Sequence, residues 1–269
     1  MDGTRRVKGG GVRGAGRLEH AGRRVLGCFP HPDDETYAAA GLLAWCARRG
    51  AEVHLLCATR GERGSDRRGR LAGAALAAVR IAARAASCAA LGIVPPRFAD
   101  LPDGGVGGVD RADAVARVDA HLQRLRPHLV VTLGPDGAYG HPDHLAWTAI
   151  VDAAVDALPV TRTPRLLHAV FPRRLFAPVA HLAQRAGVVA DSVDPDALGI
   201  DRGDAHLRLD VRAAAACKLA AAAAHGSRLD STPPSFFRHL LAPLLAEEWF
   251  RVARGVPLPA GANDPFAGL

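Results

Sequence analysis

The sequence lacks the cysteine pairs that would indicate a disulfide scaffold or a cysteine-bound zinc ion. Five cysteines are present, an odd number, and none belongs to a C-x-x-C motif. No apolar segment follows the basic N-terminus, so we predict no secretory signal. The longest apolar run, Ala213–Ala224, is interrupted by Cys217 and Lys218 and is too short to span a bilayer. These absences favour a protein of the reducing cytoplasm with no membrane partner.

Lysine is also scarce, with only Lys8 and Lys218, so arginine carries nearly all of the positive charge. The formal net charge is +7, and residues 1–24 contribute +5 of it, from seven basic minus two acidic side chains. A nucleic-acid-binding protein is expected to spread its basic residues over a folded face. We therefore predict no nucleic-acid partner. Residues 1–23 are interpreted as a flexible basic leader before one domain that covers residues 24–269.

Segments typical of strands and of helices alternate along the chain. Short apolar runs predict strands, and Ala- and Leu-rich segments that end at glycine predict helices. This alternation predicts an α/β domain with a mainly parallel sheet, in which ligands bind at the carboxyl ends of the strands. The last dozen residues are expected to be loose. The predicted strands are 24–30, 52–58, 97–100, 128–133 and 166–171, and the predicted helices are 36–49, 71–91, 110–125, 141–158, 212–225 and 233–251.

Two short motifs each follow a predicted strand and open a predicted helix. The first is HPDDE at 31–35, and the second is HPDH at 141–144. Proline suits the first position of a helix because no hydrogen-bonding N–H is needed there. Residues three apart at such a helix start converge on one side. The first and fourth residues of each motif can therefore point at a common centre.

The residue types in these motifs are those of a metal-dependent hydrolase. A catalytic zinc site has three ligands from histidine and carboxylate, with a fourth position open for water. Together the motifs offer three imidazoles and up to four carboxylates, which leaves groups for acid–base chemistry. Either motif alone is compatible with a helix N-cap. The presence of both, each after a strand, favours a zinc site, for which Fe(II) or another divalent metal is an alternative.

The pair of motifs resembles the PIG-L/LmbE-like family of zinc-dependent N-acetylglucosaminyl deacetylases, which includes deacetylases of mycothiol and bacillithiol biosynthesis. The resemblance runs from about Arg24 to Arg251 and implies a Rossmann-like fold with the metal at the carboxyl end of the sheet. The chain departs from the family at Ala83 and Arg228, where Glu and Gln are frequent. Weaker matches are Thr59-Arg60-Gly61-Glu62, Arg80 with Leu91-Gly92, Pro102-Asp103-Gly104, and Lys218 with His225-Gly226-Ser227.

The resemblance also implies a role for each matching site residue. His31, Asp34 and His144 would hold the metal. Asp33 would be the general base toward the attacking water, and His141 would stabilise the oxyanion and protonate the leaving amine. The further expected site residues are Asp143, which would orient His141, Tyr139, which would polarise the amide carbonyl, and Arg80 and Asp103, which would contact the sugar.

The reaction implied by the resemblance is hydrolysis of a linear amide C–N bond that removes an acyl group, expected to be acetyl, from an amino sugar or its conjugate. One alternative is an amidase acting on another amide, such as a thiol conjugate or an antibiotic precursor. Another is a non-catalytic sugar-binding homologue, which the complete set of motif residues disfavours. Either a monomer or a homo-oligomer is compatible with the sequence.

Overall fold

The computed structural model describes residues 18–63, 71–185, 190–225 and 243–269, and within them a seven-stranded sheet forms the centre of the domain. Five strands pair in parallel, and two further strands, each antiparallel to its inner neighbour, complete one edge. The prediction of an α/β fold with a mainly parallel sheet is confirmed. The strands are β1 (Arg24–Phe29), β2 (Glu52–Cys57), β3 (Arg97–Phe98), β4 (Leu129–Leu133), β5 (Arg165–Val170), β6 (Leu207–Asp210) and β7 (Glu247–Arg254), in the order β3-β2-β1-β4-β5-β7-β6.

Helices cover both faces of the sheet. Their ends follow ordinary rules: α4 begins where Asp110 accepts the N–H of Asp113 at 2.9 Å, and α3 stops at Gly92 with a φ of 71°. The helix predicted over 36–49 is divided in two at Ala39. The helices are α1 (Asp34–Ala38), α2 (Ala40–Arg48), α3 (Gly73–Leu91), α4 (Arg111–Leu125), α5 (Gly137–Gly140), α6 (Pro142–Asp156), α7 (Arg173–Arg185) and α8 (Ala215–Ala224).

The core has two layers because successive strand residues point to opposite faces of the sheet. In β1, Val25 and Phe29 pack with residues of α2 and α8, whereas Leu26 and Cys28 pack with α4 and α6. All four side chains are almost fully buried. Burial on both faces explains why the central strands have continuous apolar sequences.

The strand order places a binding crevice between β1 and β4. The chain moves from β1 outward to β2 and β3, and then returns to β4 on the other side of β1. In open α/β sheets, ligands bind at this reversal, outside the carboxyl ends of the strands. The first motif follows β1 directly and the second follows β4 through a short loop, so both motifs lie at this crevice.

The C-terminal third was predicted poorly. The end of the helix predicted over 233–251 is wrong, because 247–254 form strand β7, while residues 226–242 lie outside the described ones. Strand β6 and helix α7 were not predicted. The last residues are packed rather than loose: Phe266 is buried, and Arg165 donates to four carbonyl oxygens at 2.6–3.0 Å. These acceptors are Val256, Pro257, Pro265 and Ala267.

The packed part of the chain begins before Arg24. His20 is 4% exposed, and its ring lies 5.3 Å from that of Trp45 and 4.8 Å from that of Phe266. The residues directly before β1 therefore belong to the folded unit. The rest of the predicted leader, residues 1–17, lies outside the described residues.

One described helix, α3, is long and apolar enough to cross a membrane by length and composition alone. It packs on α8 and buries both Arg80 and Arg84, and Arg84 forms an ion pair with Glu35 of α1. Two buried guanidinium groups and a packed partner are features of a core helix. A helix was predicted over 71–91, in agreement with α3.

Candidate active site

The HPDD turn after β1 supplies the first candidate groups. β1 ends at Phe29 and α1 begins at Asp34, so the turn lies at the carboxyl edge of the sheet. Asp33 has a φ of 125°, a conformation that costs a non-glycine residue about 1–3 kcal/mol. Such strain persists only where the surrounding structure enforces it, and it is concentrated at functional sites.

The second motif is positioned by the loop after β4. Gly137 has a φ of 59°, and a Cβ there would lie 3.0 Å from the Cβ of His144, so the loop requires glycine. This close approach lets the Gly137 carbonyl accept a hydrogen bond from Nδ1 of His144 at 3.0 Å. His141 caps α6, because its Nδ1 accepts the N–H of Asp143 at 3.2 Å, and Pro142 occupies the first helical position.

Three donor atoms from the two motifs converge on one point. Nδ1 of His31 lies 3.1 Å from Nε2 of His144 and 3.3 Å from Oδ2 of Asp34, and the latter two atoms are 3.4 Å apart. A tetrahedral zinc ion with bonds of about 2.0–2.1 Å keeps its ligand atoms about 3.3–3.4 Å apart. The triangle therefore has the size of one face of a zinc tetrahedron. Ring nitrogens of His31, His141 and His144 form a looser group, within 4.8 Å of one another.

Hydrogen bonds on the far side of each imidazole fix which nitrogen faces this point. Nε2 of His31 lies 3.2 Å from Oδ2 of Asp143 and 3.3 Å from Oδ1 of Asp103, so Nε2 carries the hydrogen. Nδ1 of His144 donates to the loop carbonyl. The lone pairs of both rings then face the Asp34 carboxylate. Only a cation or an additional proton stabilises that arrangement, and metal-binding histidines are usually held in this way.

The charges around the cluster favour the same conclusion. Burial by itself would lower the pKa of His31, but hydrogen bonds with Asp103, Asp143 and Asp34 outweigh it and raise that pKa to about 11. The pKa of His144 is lowered, chiefly because burial disfavours its charged form. Without a metal ion, His31 thus favours its own protonated form, whereas His144 offers a neutral ligand nitrogen. A divalent metal ion that displaces this proton keeps the positive charge that the carboxylates favour.

The two outer carboxylates are held by backbone N–H groups. Asp143 accepts from two N–H groups of the loop 104–106, at 2.6 and 3.1 Å, and Asp103 accepts from the N–H of Arg63 at 2.8 Å. Burial opposes their ionisation, but the hydrogen bonds from His31 and the backbone lower the pKa of both, that of Asp103 to about 2. Asp103, which was predicted to contact the sugar, therefore also contacts Nε2 of His31.

His141 lies beside the triangle, with its ring centroid 5.0 Å from that of His31 and 4.7 Å from that of His144. Its Nδ1 accepts a hydrogen bond, so Nε2 carries the hydrogen and can donate it. Burial, followed by the two neighbouring imidazoles, lowers the pKa of His141 to about 4. Asp143 contacts His141 through its backbone N–H, whereas its carboxylate contacts His31. The Tyr139 ring lies 4.9 Å from that of His144.

Two residues near the centre, Tyr37 and Glu35, were not predicted as site residues. Tyr37 donates from its hydroxyl to Oδ1 of Asp34 at 3.1 Å, and the spacing of three residues on α1 was a usable signal. Burial, followed by Asp34, raises the pKa of Tyr37 well above its usual range. Glu35 lies in the first turn of α1, as expected of an acidic residue there. It is also fully buried, pairs with Arg84 and accepts the Ser87 hydroxyl at 2.9 Å.

The predicted sugar contact Arg80 lies beneath the loop 59–63 and is 5% exposed. A Cβ on Gly61 would come within 2.6 Å of the Arg80 side chain, so the glycine admits the arginine. Arg80 is close enough to Asp103 to contribute, after several stronger causes, to its low pKa. The remainder of this loop, 64–70, and the predicted C-terminal motif after His225 lie outside the described residues.

The fold and the site together define a class of protein. Two imidazole nitrogens and a carboxylate oxygen converge at the crevice of a Rossmann-like sheet, beside a second carboxylate and a donor imidazole. These are the groups that metal-assisted hydrolysis uses to hold a cation, activate water and stabilise an oxyanion. The protein is a hydrolase with a candidate His/Asp metal centre.

Comparison with known proteins narrows this class. Residues 26–155 match the PIG-L family model, described as GlcNAc-PI de-N-acetylase. A 1D-myo-inositol 2-acetamido-2-deoxy-alpha-D-glucopyranoside deacetylase of Nakamurella multipartita is 34% identical, over 91% of this chain and 96% of the relative. The enzyme of the same name from Rhodococcus opacus is also 34% identical, over 92% of this chain and 98% of the relative. The chain belongs to the PIG-L family and is a hydrolytic deacetylase.

Solved structures agree on the fold. An N,N'-diacetylchitobiose deacetylase from Pyrococcus horikoshii has a TM-score of 0.61 at 20% identity, with 86% of this chain and 83% of that chain covered. A 4-carboxy-2-hydroxymuconate hydratase from Pseudomonas putida has a TM-score of 0.62 at 16% identity, with coverages of 89% and 100%. A deacetylase and a hydratase thus share this architecture, so the reaction is decided by the site and not by the fold.

Proposed function

We propose that this deacetylase removes the acetyl group from N-acetylglucosamine linked to myo-inositol, with zinc bound by His31, Asp34 and His144. The substrate is taken from the two relatives that match this chain over nine-tenths of its length. The observation that carries the proposal is the triangle of donor atoms with edges of 3.1, 3.3 and 3.4 Å. Fe(II) also suits two imidazoles and a carboxylate, so the metal is part of the test.

A divalent ion at this triangle would lower the pKa of a water molecule and polarise the amide carbonyl. Asp33 is the proposed base. It adjoins the ligand Asp34 in the strained turn, and its carboxylate takes the proton of the water as the new C–O bond forms at the acetyl carbon. Breaking the C–N bond then releases acetate and the amino sugar.

His141 is the proposed donor toward the oxyanion. Its Nδ1 accepts the N–H of Asp143, so the hydrogen is on Nε2, the nitrogen that is free to donate. Tyr139 would supply a further donor, because its ring lies beside those of His141 and His144, 6.1 and 4.9 Å from their centroids. His141 protonates the departing nitrogen from its imidazolium form, in which Nδ1 also carries a hydrogen, and so ends as the neutral imidazole; the proton that Asp33 takes from the water balances this step.

Recognition of the sugar is assigned to the loops that flank the crevice. Arg80 and Asp103 remain the proposed contacts, and both lie near the loop 59–63. Asp103 also binds His31, so its replacement is expected to alter both substrate affinity and the metal site. The proposed substrate is a small molecule, and the proposed location of the enzyme is the cytoplasm.

The test is acetate release by purified protein from the glucosaminyl-inositol substrate, from free N-acetylglucosamine and from N,N'-diacetylchitobiose. We expect release that a chelator abolishes and zinc restores, with the highest kcat/KM for the inositol conjugate. Preference for another substrate in the panel would contradict the substrate assignment alone. Release that a chelator leaves unchanged, with no metal in the protein, would contradict the metal centre.

A further inference from the structure

A tyrosine hydroxyl is hydrogen-bonded to one carboxylate oxygen of Asp34. This oxygen points away from the triangle formed with His31 and His144. Tyr37 lies on α1, three residues after Asp34, and donates to Oδ1 at 3.1 Å. The other oxygen, Oδ2, faces Nδ1 of His31 and Nε2 of His144 at 3.3 and 3.4 Å. The two oxygens of one carboxylate therefore have different environments, one toward the triangle and one toward the phenol.

Other contacts keep Asp34 and Tyr37 in this arrangement. The backbone N–H of His31 donates to Oδ2 of Asp34 at 2.8 Å, which fixes the direction of the carboxylate. The ring of Tyr37 lies 5.9 Å from that of Phe171, which is buried and stacks on Phe176 at 4.5 Å. The phenol is thus held by ring packing at one end and by the carboxylate at the other.

We propose that Tyr37 is a positioning residue that holds Asp34 as a ligand through a single oxygen. A carboxylate binds a metal through one oxygen or through both, and the choice changes the coordination number. The hydroxyl hydrogen bond engages Oδ1, so only Oδ2 is presented to the ion, and the fourth position stays open for water. This inference rests on the proposed metal centre of His31, Asp34 and His144.

The hydrogen bond also adjusts the charge that the ligand supplies. A phenol that donates to Oδ1 withdraws electron density from the carboxylate, which by itself weakens metal binding. The orientation that the phenol imposes on the ligand must therefore be the larger effect for its loss to raise the Kd. Loss of a group that orients a metal ligand typically weakens metal binding by about 10–100-fold. Removal of the hydroxyl should therefore change the affinity and the coordination of the metal as well as the rate.

The central experiment compares the wild-type protein with Tyr37→Phe, which removes the hydroxyl and keeps the ring. Zinc affinity is measured by competition with a chromophoric chelator, and the visible spectrum of the cobalt(II)-loaded protein reports the coordination number. We expect a zinc Kd about 10–100-fold higher in Tyr37→Phe, and a weaker cobalt band because a second carboxylate oxygen enters the coordination sphere. The control is Phe171→Leu, which alters the packing of the ring and leaves the hydroxyl; its Kd should stay within about twofold.

The outcomes separate this inference from the proposed function. If wild-type protein binds zinc but Tyr37→Phe matches it in Kd and in cobalt spectrum, Tyr37 has no positioning role while the metal centre stands. An equal loss in Phe171→Leu would assign the effect to packing and overturn the inference as well. Failure of the wild-type protein to bind zinc, cobalt or iron would overturn both ideas.

A second measurement keeps Tyr37 and its hydroxyl in place. The chain has two tyrosines, so biosynthetic labelling with 3-fluorotyrosine gives two ¹⁹F signals, which Tyr139→Phe assigns. Addition of zinc should shift the Tyr37 signal, because the charge on its hydrogen-bond partner changes. A Tyr37 signal that zinc leaves in place would overturn the inference.

Discussion

Two buried groups of charged side chains in this domain behave in opposite ways. Lys218 of α8 donates to Glu248 of β7 and to the carbonyl of Leu244 at 2.9 Å, and the Glu248 oxygens accept the N–H groups of Gly41 and Leu42 at 2.8 Å each. The lysine ammonium group is thus paired with a carboxylate, and this carboxylate also caps the N-terminus of α2. In the triangle of His31, Asp34 and His144, by contrast, the lone pairs of two ring nitrogens face a carboxylate oxygen.

The difference shows how a structural charge cluster is distinguished from a functional one. Both clusters are almost fully buried, so burial does not separate them. In the first, donors and acceptors match, and the protein alone satisfies the charges. In the second, acceptors meet acceptors, and the cluster is stable only with a proton or a cation at its centre. In this domain, hydrogen-bond acceptors that meet without a donor distinguish the candidate binding site, whereas charge and burial do not.

The largest expected effect is on turnover, from Asp33→Asn. The amide cannot take a proton from water, so kcat should fall by about 10²–10⁴-fold while zinc remains bound. The measurement is acetate release together with metal content by atomic absorption. Asp34→Asn is the matched comparison, because it should lose zinc as well as activity. Retention of wild-type turnover in Asp33→Asn would show that another group is the base.

The next effect is on stability, from Lys218→Met. The variant leaves the Glu248 charge buried without its lysine, and breaking one partner of a buried pair costs about 3–5 kcal/mol of unfolding free energy. The double variant Lys218→Met, Glu248→Gln should recover much of this loss, since neither charge then remains. Urea unfolding measures both, and kcat of the folded protein should stay unchanged. A cost below about 1 kcal/mol would mean that the pair is not a matched structural unit.

The same contrast explains what the sequence allowed us to predict. The meeting of the two motifs could be predicted because the signal of each is local: a histidine and a potential ligand three residues later, at a helix start after a strand. The alternation of elements then placed both motifs at one edge of the sheet. The choice of His31, Asp34 and His144 as the ligands came from the family resemblance. Tyr37 has the same spacing from Asp34 and was overlooked, although its signal is of the same kind.

The structural cluster had no local signal. Lys218 and Glu248 are 30 residues apart, and Glu248 meets the start of α2 more than 200 residues away. The segment around Glu248 was predicted as a helix, yet it pairs as strand β7 between β5 and β6. Tertiary pairing on both sides of a strand overrides such a local preference. The ion pair of Glu35 with Arg84 also had no local signal, because Arg84 belongs to another helix.

A smaller effect should separate the two contacts made by Asp143. Its carboxylate holds Nε2 of His31 at 3.2 Å, and its backbone N–H holds Nδ1 of His141. Asp143→Asn keeps the backbone contact and removes the charge, so zinc binding should weaken by about 10–100-fold. With saturating zinc, most of the activity should return. Unchanged zinc affinity with a lasting loss of kcat would assign the carboxylate to His141 instead.

The smallest effect is expected from a change at His20. This residue lies at the amino ends of the strands, opposite the carboxyl ends where the site is. His20 precedes β1, its backbone N–H donates to the carbonyl of Arg49 at 2.9 Å, and its ring packs on Trp45 and Phe266. This buried imidazole packs against aromatic rings, and its Nε2 lies 3.6 Å from a carboxylate oxygen of Asp264, beyond hydrogen-bond distance, so ring packing is the main contact that holds it. His20→Ala should lower the unfolding free energy by about 1 kcal/mol, an ordinary cost for a buried side chain. Urea unfolding measures that loss, while the zinc Kd and kcat/KM should equal those of the wild-type protein. A change in zinc affinity at constant stability would show that the two ends of the strands are coupled, and it would remove the distinction between a structural and a functional region.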